Sequence, residues 1–74
     1  MIGSFTLSGK TINIENDYNH IDGMVYRFIQ ADTGQEVAAT SYRGIDLADG
    51  VKYTEVELQR GLETVCRQAR RSRY

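Results

Sequence analysis

Residues 53–71 read YTEVELQRGLETVCRQARR, and their spacing decides the fold. Leu58, Leu62, Val65, Cys66 and Ala69 recur at three- and four-residue steps, the period of a helix with one apolar stripe. The segment also carries its own start signal. Thr54 is a good N-cap, and Glu57, three residues on, completes a capping box. Tyr53 and Leu58 occupy the positions of a hydrophobic staple across it. Glu55 and Glu57 sit at the positive end of the helix dipole, and the arginines gather at the negative end. The spacing predicts one helix over 55–71. Gly61 costs about 1 kcal/mol in mid-helix; its missing side chain either allows close contact with a sheet or is simply tolerated.

The opposite side of that helix is basic. At about 100° per residue, Arg60, Arg67 and Arg71 fall within about 40° of one another, roughly opposite the apolar stripe. Arg70 and Arg73 extend the positive charge around the end, and residues 71–74 are expected as a frayed basic tail. Glu63, four residues before Arg67, is placed to pair with it.

Everything before the helix reads as strand and turn. In residues 4–15, Phe5 and Leu7, then Ile12 and Ile14, alternate with polar residues about Gly9-Lys10. Gly first in a two-residue loop suits a type II′ turn. That closure pairs Leu7 with Ile12 and Phe5 with Ile14, all on one face. Residues 16–23, NDYNHIDG, are turn formers and predict a surface loop with Ile21 tucked under. Residues 24–43 predict a longer hairpin about Asp32-Thr33-Gly34, with Gly34 left-handed. Phe28 then faces Ala38, Tyr26 faces Thr40 and Met24 faces Tyr42, while Val25, Arg27, Ile29, Val37 and Ala39 take the other side. Residues 44–53 predict a connection anchored by Ile45, Leu47 and Val51. The expectation is a single α+β domain over residues 1–74: a three- or four-stranded antiparallel sheet from two hairpins, with the C-terminal helix packed on one face.

Composition narrows the function. Apolar and charged shares of 41% and 26% are those of an ordinary globular domain and exclude global disorder. No apolar run approaches the ~20 residues of a membrane span, and the start, MIGSFTLSGK, does not read as a secretory signal. One cysteine, Cys66, suits a reducing compartment, so a cytoplasmic location is expected. A 74-residue chain supports one core worth about 3–5 kcal/mol, and a water-excluded active site would compete with it for side chains.

Motifs that suggest chemistry have simpler explanations. Ser8-Gly9-Lys10-Thr11 looks like the end of a phosphate-binding loop, but that motif needs glycine where Ser4 stands and a helix where a strand follows. His20 and Cys66 are the sole residues of their types. A zinc site would need Asp17 and Asp22 to complete it, and both suit turn roles. Cys66 lies on the apolar stripe, remote in sequence from any base. Asp46 with Asp49, and Glu55 with Glu57, are explained by turn and cap positions. No enzyme activity, cofactor, metal or small-molecule substrate is therefore expected.

Binding is the remaining class. Residues 1–66 hold five basic and all ten acidic side chains, a balance of −5, while residues 67–74 hold four arginines. Arginine forks match carboxylate and phosphate alike, but an acidic body repels a phosphate backbone. An acidic protein surface is thus the favoured partner, with nucleic acid as the alternative through the arginine-rich helix. Pairing of copies through an open sheet edge is a further option. The expected contact residues are Arg60, Arg67, Arg70, Arg71 and Arg73, with Tyr26 and Tyr42 on the sheet. In size, charge division and lack of catalytic apparatus the chain resembles the small accessory proteins of bacteriophages, such as inhibitors of host RNA polymerase, anti-CRISPR proteins and antirestriction proteins. That resemblance implies a compact one-helix α+β domain that inhibits a larger machine by steric protein binding, and it assigns no residue.

Overall fold

The computed structural model describes residues 1–21 and 23–71. Five strands, β1 (Gly3–Leu7), β2 (Lys10–Asn19), β3 (Gly23–Gln30), β4 (Gln35–Ser41) and β5 (Gly44–Leu47), precede one helix, α1 (Glu55–Arg71). Each strand pairs antiparallel with the next, giving a meander in the order β1-β2-β3-β4-β5. The architecture is the expected α+β arrangement, with more strands than the two hairpins suggested.

The helix forms as its sequence dictates. The Thr54 hydroxyl accepts from the Glu57 backbone N–H at 3.2 Å, and the Glu57 carboxylate accepts from the Thr54 N–H at 3.1 Å. Both halves of the capping box are therefore made, so two amides with no partner inside the helix are satisfied. Leu58, Leu62 and Val65 are buried, with Cys66 and Tyr53 packed partly against them. They meet Ile12, Ile14, Phe28, Val37, Ala38 and Ile45 from the sheet in one core.

The helix backbone comes closest to β1 and β5, the two edges of the sheet. The large side chains of β2 and β3, Ile12, Ile14 and Phe28, fill the space between the two edges. Two glycines permit the approach on the β1 side. A Cβ on Gly61 would lie 2.3 Å from the Phe5 ring, and one on Gly3 would lie 2.6 Å from Val65. The Phe5 ring in turn stands edge-on to Phe28, with centroids 6.3 Å apart and planes at 86°. Of the two readings its position offered, Gly61 thus takes the packing one.

Four local expectations are corrected. The first turn is Ser8-Gly9, with φ of 52° and 75°, so both central residues are left-handed as in type I′. Phe5 then pairs with Ile12 and Leu7 with Lys10. The change is two residues, an even number, so every side chain stays on its expected face. Next, residues 16–19 are strand: Asn16, Asp17 and Tyr18 pair with Tyr26, Val25 and Met24, and Ile21, expected beneath the loop, is exposed. Pairing along β3 overrides the turn preference of the Asn-Asp-Tyr-Asn run.

The β3–β4 hairpin keeps Phe28 opposite Ala38, and the Tyr26 N–H donates to the Thr40 hydroxyl at 2.9 Å. Gly34 is left-handed, with φ of 74°. The loop, however, runs Ala31–Gly34, because Gln30 pairs with Gln35 and the register shifts between Phe28 and Ile29. The shift is a bulge that sets Val37 and Ala38 together opposite Phe28. Val37, expected on the far face, is consequently buried in the core. Finally, the expected connection after Gly44 begins with β5, which pairs with β4. Ile45 and Val51 do anchor to the core, but Leu47 is 41% exposed.

Candidate functional site

The outward side of α1 carries Val56, Arg60, Glu63 and Arg67, all exposed. Val56 keeps 60% of its surface in water. Arg60 and Arg67 lie where helix geometry put them. The side chains of Arg70 and Arg71, and Arg73 with the rest of 72–74, lie outside the described residues; so does the expected frayed tail, apart from the Arg71 backbone that closes α1.

The ion pairs divide the molecule in two. On the sheet, Lys10 reaches Asp32 at 3.0 Å, Arg43 reaches Asp46 at 3.9 Å, and Arg27 lies 3.7 Å from Asp17 while bonding Glu36. The hydrogen bond and charge of Glu36, then the charges of Asp17 and Glu15, push the Arg27 pKa upward. Even the terminal amine of Met1 is paired, with Glu15 at 3.1 Å. Arg60 and Arg67 differ: among the described residues neither has a carboxylate within 4.0 Å. The expected Glu63–Arg67 pair is not made, and Glu63 instead accepts from the Gln59 amide at 3.2 Å. The sheet's cations are thus paired locally, whereas Arg60 and Arg67 face solvent without an ion pair among the described residues.

The two tyrosines singled out from sequence part company. Tyr26 is half-buried on the helix side of the sheet and packs on the core. Tyr42, in the β4–β5 turn, is 81% exposed, with the Arg43 guanidinium 5.6 Å from its ring centre. The sequence reading missed Tyr18 and Met24, which pair across β2 and β3 and are 70% and 57% exposed. Reading residues 16–19 as strand would have found them. Tyr18 then falls on the core side, two residues beyond Asn16 and past the last row that β4 and β5 complete.

The remaining chemical candidates stay apart. Ser8-Gly9-Lys10-Thr11 forms the β1–β2 turn and the start of β2. Cys66 is half-buried on the helix's inner side, while His20 is exposed beside the β2–β3 turn. No group of three metal-binding side chains gathers among the described residues, and no described helix is long and apolar enough to cross a membrane. No protein-family model matches the chain, no curated protein matches its sequence, and no solved structure matches its fold.

Proposed function

We propose that the chain is a non-enzymatic protein-binding module that docks the outer side of α1 onto an acidic protein surface and so modulates the assembly to which that surface belongs. One observation carries the reading. Arg60 and Arg67 project from the helix with no carboxylate partner among the described residues, whereas Lys10, Arg27 and Arg43 on the sheet are each paired. A guanidinium fork is suited to bidentate carboxylate recognition. Val56, one turn before Arg60, adds apolar area of the kind that interface centres use. With a net charge of −1 the chain lacks the overall basic balance of nucleic-acid-binding modules, which favours a protein partner.

Capture from a cell lysate on the immobilised chain tests this, with and without nuclease and beside an Arg60→Glu, Arg67→Glu variant. The reading expects a protein retained after nuclease treatment and lost from the variant. Material released by nuclease would favour nucleic acid instead, and equal capture by the variant would remove the helix from the interface.

A further inference from the structure

Away from the helix's outer side, the segment after β5 passes the end of the sheet and leaves a cleft of about 380 Å³. Its volume is within the range of small-ligand sites. Val51 gives it apolar surface, with the buried Val37 behind it, and Lys10, Lys52, Gln30, Gln35 and Tyr53 supply its polar groups. One side is held by a chain of hydrogen bonds. The Tyr53 hydroxyl donates to Gln30 Oε1 at 2.9 Å, Gln30 Nε2 donates to Asp32 Oδ1 at 2.7 Å, and Lys10 Nζ donates to Asp32 Oδ2 at 3.0 Å. The bond from Gln30, then that from Lys10, lowers the Asp32 pKa.

That network neutralises Lys10 and leaves Lys52 as the cleft's uncompensated charge, since no carboxylate lies within 4.0 Å of Lys52 among the described residues. A cation would be repelled there, and a neutral ligand would leave the ammonium unused. We propose that this cleft binds a small organic anion, its charged head on Lys52 and its apolar part against Val51 and the Tyr53 ring. The Gln30 amide, held by Tyr53 and Asp32, stands beside the head group with a second N–H to donate. This site is separate from the helix surface, so either can fail without the other.

The test is an amide-shift titration of the whole chain with phenyl phosphate, with inorganic phosphate and phenol as the two half-ligands. Phenyl phosphate should shift the Gln35, Gly50, Val51, Lys52 and Tyr53 amides along one curve, saturating at roughly millimolar concentration or below. Each half-ligand should bind more weakly by about tenfold or more, and so should phenyl phosphate to Lys52→Gln, since a bond to a charged group is lost. Lys52→Arg should retain binding. Lys52 is exposed, so both variants should keep the wild-type spectrum elsewhere. Failure to saturate, shifts centred on Arg60 and Arg67, or unchanged binding by Lys52→Gln would each overturn the proposal, as would inorganic phosphate binding as tightly as phenyl phosphate.

Discussion

Replacing Gly61 with alanine sets two magnitudes against each other. In an exposed helix the change stabilises by about 1 kcal/mol, because alanine loses less backbone entropy. Here the new Cβ would fall 2.3, 2.4 and 2.5 Å from three carbons of the Phe5 ring. Contacts that short force a shift, and overpacking of a filled core costs about 1–3 kcal/mol. The ring cannot swing away without loss, since its edge-on contact with Phe28 contributes about 0.5–1.5 kcal/mol. The net expectation is destabilisation by about 1–2 kcal/mol, a fall in Tm of roughly 4–15 °C for a domain of this size. Thermal and urea melts followed by circular dichroism read it directly. Phe5→Leu provides the control: in that background Gly61→Ala should cost less, or stabilise, and the coupling should appear in a double-mutant cycle. A Gly61→Ala variant as stable as the parent would refute the close approach of α1 to β1.

Other perturbations test separate parts of the structure. Thr54→Ala should lower stability by about 0.5–2 kcal/mol through loss of the cap, seen as a lower urea midpoint at unchanged slope. Leu62→Ala should cost about 2–5 kcal/mol and could abolish the folding transition; a wild-type melt would mean the stripe faces elsewhere. Asp32 has a folded pKa below its unfolded value, set by Gln30 and then Lys10. Its contribution is therefore present above the unfolded pKa and is lost as pH falls through the folded one. Asp32→Asn should flatten that acid limb of the stability curve, and an unaltered limb would show that the network is not formed in solution.

Legibility in the sequence followed the strength of the local signals. The helix could be read to the residue, because capping box, staple and apolar period all agree on Glu55–Arg71. The first hairpin's faces were legible but its register was not, since a shift of two leaves the alternation of Phe5, Leu7, Ile12 and Ile14 unchanged. The strand through Asn19 was hidden, because its residues individually prefer turns and only their partners on β3 make them extended. The bulge that buries Val37 leaves no composition signal either. For the candidate surface, helical spacing placed Arg60 and Arg67 correctly. Their lack of partners needed the structure, because sequence spacing alone offered Glu63 to Arg67.

The central claim is that the outer side of α1 is the contact surface, and the affinity of a captured partner tests it most directly. The comparison sets Arg60→Glu, Arg67→Glu against Tyr18→Ala, Tyr42→Ala, with melts confirming that both variants fold. If the arginines meet desolvated carboxylates, the first variant should lose about 2–5 kcal/mol of binding, while the second keeps most of its affinity. Full binding by the arginine variant, with binding lost in the tyrosine variant, would contradict the account and move the interface to the exposed end of the sheet.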